Sequence, residues 1–262
     1  MVVDFHVHCF PDELAATAVP RLAAVAGISP QLDGTVSGVR RSMKDSGVDC
    51  SVVLNIATKP QQTEKINDWA AEICGEGIVA FGSVHPDFPH WRNELDRIHE
   101  LGLKGIKYHP DYQEFFADED RMFPVYEYAL SLGLILLFHA GVDIGLEPPY
   151  HCTPERLKRV VEAFPGAPIV AAHMGGFRYW DEVEELLAGK DFYLDTSYSL
   201  GHMDDFHTRT LIEKHGFQRI LFATDSPWGD QSAELEKLRG LKLGEEAETA
   251  ILGGNAARLL GL

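Results

Sequence analysis

Cysteine is scarce: four residues, Cys9, Cys50, Cys74 and Cys152, are scattered through 262 with no CxxC pair and no finger-type spacing. That excludes a disulfide framework and a zinc-finger staple. The thiols read as reduced and mostly buried, with Cys9 set apart because it follows His8. No apolar run approaches the ~18 residues needed to span a membrane. The N-terminus passes straight into Val2–Val7 without a basic segment or a cleavable apolar stretch, so a cytoplasmic location is expected. Basic residues are outnumbered, 23 against 40 acidic, for a net charge of −17. With no basic cluster to offset that field, nucleic acid is not an expected partner, and the acidity itself reads as solubility. Also missing are a GxGxxG loop, a low-complexity tract, a linker and a solenoid-type repeat.

What is present is a substantial core. Hydrophobic residues make up 45% and charged residues 24% of the chain, the balance of a globular protein. Eight short apolar runs recur: Val2–Val7, Cys50–Ile56, Ile78–Val84, Gly105–His109, Leu134–His139, Ile169–His173, Phe192–Thr196 and Ile220–Asp225. Each is nearly continuous in hydrophobicity, as strands buried on both faces of a parallel sheet are. Stretches of helical period separate them, such as Leu157, Val160, Val161 and Phe164 behind the start signal Thr153-Pro154. Right-handed crossovers then leave an open doubly wound sheet or a closed (β/α)8 barrel. Eight is the closing number, and no nucleotide loop marks a switch point, so the sequence predicts an α/β TIM barrel as a single domain over 1–262. Residues from Phe10 to Pro30 read as an insertion after the first strand, helical around Leu14–Val25.

Polar residues gather at the C-terminal ends of these strands, where barrel active sites are built. Strand alternation puts Asp4, His6 and His8 on one face, pointing inward, with Val3, Phe5 and Val7 packed against helices. His139, His173 and Asp225 each close an apolar run, an expensive place for a polar group unless it is paired or bound to a cation. Imidazole and carboxylate donors suit zinc first and accommodate manganese, iron or cobalt, and a set that leaves room for water marks a catalytic site. Around it, Lys107 and His109 lie at the end of strand four, Arg178 stands close behind His173, and Trp228 follows Asp225. These four are candidate substrate contacts. The competing readings are a His-Pro-Asp turn for His109, helix capping for Arg178, packing for Trp228 and an ion pair with Asp4 for Lys107.

The runs Asp4-Phe5-His6-Val7-His8, Gly105-Ile106-Lys107-Tyr108-His109-Pro110, Phe138-His139-Ala140-Gly141, Ala172-His173-Met174-Gly175-Gly176 and Ala223-Thr224-Asp225-Ser226-Pro227-Trp228, with the closing Gly253–Leu260 stretch, resemble the amidohydrolase superfamily. The branch most similar includes aminocarboxymuconate-semialdehyde decarboxylase. The resemblance implies His6, His8, His139 and Asp225 as ligands of one divalent metal ion. It implies His173 and Asp225 as the groups that manage protons. Binuclear relatives carry a bridging residue on strand four, where Lys107 stands; a single metal is the expectation here.

The first expectation for function is a metal-dependent hydrolase that cleaves a C–N or C–O bond in a small molecule. The alternative is non-oxidative decarboxylation of a small carboxylic acid, since both reactions use the same ligands. A third reading, a metabolite-binding barrel without catalysis, is disfavoured by the complete polar set. The C-terminal Leu259-Leu260-Gly261-Leu262 leaves open packing on the barrel or a homo-oligomer contact.

Overall fold

The computed structural model describes residues 1–262, and each of the eight apolar runs holds a strand, shorter than the run, so that His139, His173 and Asp225 lie just past the strands rather than within them. In chain order the elements are β1 (Val3–Val7), α1 (Asp12–Ala26), α2 (Val36–Ser46), β2 (Cys50–Leu54), α3 (Thr63–Ile73), β3 (Ile78–Phe81), α4 (Trp91–Glu100), β4 (Gly105–Tyr108), α5 (Phe123–Ser131), β5 (Ile135–Phe138), α6 (Pro154–Ala163), β6 (Ile169–Ala171), α7 (Trp180–Leu186), β7 (Tyr193–Asp195), α8 (Asp205–His215), β8 (Ile220–Leu221), α9 (Gln231–Gly240), α10 (Glu245–Thr249) and α11 (Asn255–Leu260). Strands β1–β2–β3 and β4–β5–β6–β7–β8 pair in parallel as two arcs. Backbone bonds join them: Gly82 N–H to Gly105 O (2.8 Å) and Lys107 N–H to Gly82 O (2.9 Å) on one side, Phe5 N–H to Phe222 O (2.9 Å) and Asp225 N–H to His6 O (2.8 Å) on the other. The result is a closed TIM barrel. No helix is long and apolar enough to cross a membrane.

Alternation divides the apolar side chains into two sets. Ile106, Tyr108, Leu136 and Phe138 face outward into a cluster of 47 buried residues shared with the helices. A second cluster of 14 takes Val52 and Leu54 from β2, Phe81 from β3, Leu137 from β5, Val170 from β6 and Leu221 from β8. Side chains from strands all round the barrel meet only in its interior. Gly105 makes room there: a Cβ would lie 2.6 Å from the Phe81 ring. Ala256 and Leu260 of α11 join this inner cluster, so the C-terminal leucines pack on their own barrel while Leu262 is exposed.

On β1 the simple alternation fails. The register against β2 slips between Asp4 and Val7, a β-bulge. Phe5 belongs to the inner cluster and Val7 to the outer one. Asp4 is turned outward, where its carboxylate accepts hydrogen bonds from Thr224 Oγ1 (2.6 Å) and from Gln231 Nε2 of α9 (2.8 Å). The expectation that Asp4 shares a face with His6, and that Val3 and Phe5 meet the helices, is therefore corrected. An extra residue in one strand re-aims the side chains beyond it, and two successive side chains, Phe5 and His6, point inward.

Among the outer polar groups left unsatisfied, one sits in an aromatic cluster. The Tyr108 hydroxyl is buried without a hydrogen-bond partner, packed among Phe115, Tyr126 and Phe138 at ring-centroid distances of 5.3–6.0 Å. Stripping water from such a hydroxyl costs about 1–3 kcal/mol. Tyr108→Phe keeps the ring and removes the cost, so it should raise the urea midpoint, by up to about 1 kcal/mol in stability; a clear loss would show a missed partner.

Candidate metal centre

The bulge delivers His6 to the upper interior, and His8 follows one alternation later. Asp225 reaches them because its own N–H closes the barrel seam onto His6 O. It does so with φ +63°, a left-handed conformation that a non-glycine residue adopts at a cost. His173 (φ +59°), Met174 (+54°), Arg178 (+64°) and Tyr198 (+50°) share that conformation, so five of the eight such non-glycine residues follow β6, β7 and β8. Strain of this kind persists only where surrounding contacts enforce it, and it concentrates at functional sites.

The hydrogen bonds fix where each imidazole carries its proton. His8 Nδ1 lies 3.0 Å from the Leu54 carbonyl, which only accepts, so Nδ1 is protonated and Nε2 is bare. His6 Nδ1 lies 2.9 Å from Asp195 Oδ2, with the same consequence. The bare Nε2 atoms face each other at 3.1 Å, and Asp225 Oδ1 stands 3.3 and 3.2 Å from them. Two lone pairs and a carboxylate oxygen thus converge with no proton of their own. Lys107 Nζ donates to His6 Nε2 at 3.2 Å. A corner of acceptors like this fits a divalent cation, and His6, His8 and Asp225 bring one ligand atom each within 4.8 Å of one another.

Burial, reinforced by the Lys107 charge, holds His6 well below the ordinary imidazole range. Burial raises the Asp225 carboxyl, and the neighbouring imidazoles, His6 first, bring it below its usual value when they carry a proton. Lys107 is fully buried and lowered to about 8 by desolvation, with Asp195 and Asp225 opposing the shift. Its charge answers those two acids. The competing reading of an ion pair with Asp4 does not hold, because the bulge turns Asp4 away.

His139 is placed beside this corner, outside the three-atom group. His173 Nδ1 donates to Ser197 O (3.0 Å), which leaves its Nε2 to accept from His139 Nδ1–H (3.0 Å). His139 Nε2 is then a buried lone pair without a partner. His109 stacks on the His139 ring (centroids 4.0 Å, planes 11° apart). His109, His139 and Asp143 also bring ligand atoms within 4.8 Å. However, Tyr112 N–H donates to His109 Nδ1 (3.4 Å), so His109 Nε2 carries the proton and gives it to Asp143 Oδ2 (3.2 Å). This second group is wired as a hydrogen-bonded pair, with the wrong tautomer for a metal.

Arg178 and Trp228 lie farther out. Arg178 is exposed, with its guanidinium 5.4 Å from the Phe177 ring centroid, and Trp228 is half-buried just past Asp225. Three contributors lie outside the set expected from the sequence: Asp195, Ser197 and Trp180, whose Nε1–H donates to His173 O (3.1 Å). Asp195 does carry a signal, since a carboxylate closing the apolar strand Tyr193–Asp195 resembles Asp225 in kind.

Over residues 3–262 the sequence matches the family model described as Amidohydrolase. Among solved structures, the chain is similar to a 5-carboxyvanillate decarboxylase of Sphingomonas paucimobilis, with 18% identity, TM-score 0.74, and 100% of this chain and 99% of that one covered. It is similar to an uncharacterised TIM-barrel protein of Bordetella bronchiseptica at 20% identity, TM-score 0.81, covering 99% and 98%. A dihydroxybenzoic acid decarboxylase of Polaromonas sp. JS666, with bound manganese and the inhibitor 2-nitroresorcinol, aligns at 18% identity, TM-score 0.71, over 100% and 97%. No curated protein matches the sequence. The expectation of C–N or C–O hydrolysis is corrected by the two of these neighbours with a stated activity, both decarboxylases, which favour the alternative. The ligand types serve both reactions, which is why they point to the wrong one first.

Manganese titration of the purified protein should give tight one-ion binding. His6→Ala or His8→Ala should weaken it by more than the about 100-fold expected for losing an outer hydrogen-bond partner. Because burial and the Lys107 charge hold His6 well below the ordinary imidazole range, protons should compete with the ion for His6 less than for a free imidazole, and manganese affinity should fall through mildly acid pH with a dependence of no more than about one proton. Calorimetry across pH checks both outcomes.

Proposed function

This chain belongs to the amidohydrolase family, and from that premise we propose that it is a metal-dependent, non-oxidative decarboxylase of a small carboxylic acid. The observation that carries the reading is the proton-free corner of His6, His8 and Asp225 set against a buried Lys107 cation, in a fold whose similar structures include decarboxylases. His6, His8 and Asp225 would hold the ion, with the bare His139 Nε2 as the fourth donor. A divalent ion bound there, manganese as in the Polaromonas neighbour or zinc, supplies Lewis-acid charge for the oxygens of the substrate.

The chain's own groups do the rest. Lys107 places a positive charge inside the barrel, where an anionic acid is drawn in and held. His109, kept rigid by Asp143 and Tyr112, and the half-buried Trp228 in the loop after β8 would line the approach, with the exposed Arg178 guanidinium farther out. Asp225 is held ionised, so it acts first as a base and takes a proton from a hydroxyl of the substrate. As the C–C bond breaks, carbon dioxide leaves and the bonding pair stays on the carbon, which takes the same proton back from Asp225. His173, bonded through both ring nitrogens to Ser197 and His139, stabilises the arrangement as a proton-sharing link.

The test is to load the protein with manganese and supply 2,6-dihydroxybenzoate and 5-carboxyvanillate. Carbon dioxide release is expected, with one deuterium at the vacated carbon in D2O. Asp225→Asn should lower the rate by about 10²–10⁴-fold. A metal-loaded, folded protein that releases no carbon dioxide from any ortho-hydroxybenzoate would overturn the proposal.

A further inference from the structure

Asp195 ends β7 with no solvent exposure, and its two oxygens do different work. Oδ1 accepts the backbone N–H groups of His173 (3.0 Å) and Ser197 (3.0 Å), along with the Ser197 hydroxyl. Oδ2 has one partner, His6 Nδ1, at 2.9 Å. A structural role for a buried aspartate here would need Oδ1 alone, since that oxygen ties the turn after β6 to the turn after β7. The second oxygen is spent on a histidine 189 residues away in sequence.

We propose that Asp195 is a positioning residue that fixes the tautomer of His6, keeping the proton on Nδ1 and the lone pair of Nε2 turned toward His8 and Asp225. This deepens the reading of that corner as a cation site and rests on it, independently of which reaction is performed there. Imidazole in water carries its proton on either nitrogen at little cost; a buried carboxylate against Nδ1 removes the choice. A histidine with the proton on Nε2 presents N–H where a ligand needs a lone pair.

The same geometry makes Asp195→Asn an informative variant. Two backbone N–H groups converge on the Oδ1 position, so the amide oxygen must stay there. The amide NH2 is thereby forced to face His6 Nδ1, which can only respond by accepting. The His6 proton then moves to Nε2, where Asp225 Oδ1 at 3.3 Å takes it as a hydrogen bond and Lys107 turns from His6 toward that carboxylate. The fold loses little, and the cation corner loses one lone pair. Ser197→Ala is the control, because it removes the hydroxyl that contacts Oδ1 and His173 Nδ1 while the Ser197 carbonyl still holds His173 and Oδ2 still faces His6.

The experiment is 15N NMR of histidine side chains in the metal-free protein, with His6 assigned from a His6→Gln variant, followed by manganese calorimetry. In the wild type His6 should show a pyrrole-like Nδ1 and a pyridine-like Nε2. Asp195→Asn should exchange the two and weaken manganese by about 10–100-fold or more, while Ser197→Ala keeps the wild-type tautomer and affinity within a few fold. A wild type with the proton on Nε2, or an Asp195→Asn protein with unchanged tautomer and affinity, overturns the assignment. If Asp195→Asn fails to fold, the wild-type spectrum still decides. Absence of manganese binding in a wild type with the expected tautomer would sink the cation reading and leave the role of Asp195 in the tautomer standing.

Discussion

Three acceptor atoms that cannot satisfy one another, His6 Nε2, His8 Nε2 and Asp225 Oδ1, meet inside the barrel within hydrogen-bond distance. In a dry interior such a meeting is unfavourable unless positive charge sits among them. Much of the surrounding structure can be understood as holding that arrangement together. Leu54 O and Asp195 pin the protons on the far sides of the two rings, Lys107 supplies a cationic neighbour, and the left-handed turn at Asp225 directs its carboxylate to the same point. Each device carries a cost of its own in desolvation or backbone strain. They make sense together, as preparation for a cation.

The hydrogen-bond network has a direction. From one end His139 gives its proton to His173 and His173 to the Ser197 carbonyl; the Ser197 hydroxyl and, from the other end, His6 both donate to Asp195, so the donors converge on that carboxylate and the bare nitrogens of His139 and His6 are left at the open ends. That polarity separates the two histidine–aspartate groups more sharply than distance does. Both satisfy the same 4.8 Å proximity, yet only one has tautomers ready for a metal.

The barrel is legible in the sequence because parallel strands buried on both faces leave an unmistakable run of apolar residues, and each of the eight runs holds a strand. The strand-end logic also finds His6, His8, His139, His173 and Asp225, since a polar group closing an apolar run is conspicuous. Asp195 satisfies the same criterion, but Thr196 and Ser197 behind it make the stretch look like an ordinary polar loop. The β1 bulge leaves no local trace: it is set by pairing with β2, and only the register shows that Asp4 and His6 part company. The choice between hydrolysis and decarboxylation is illegible for a different reason. It depends on which substrate atoms meet the ion and Asp225, and neither spacing nor ligand type encodes that.

The seam where β8 meets β1 holds a further consequence. Its hydrogen bonds join the first strand of the chain to the last, and one of them is the Asp225 amide itself. His6 and His8 therefore acquire Asp225 only when the chain has gone once around and closed, so neither half of the molecule contains the corner. Contacts this distant in sequence form slowly, after the local ones. The site is thus also a latch, present only in the closed barrel.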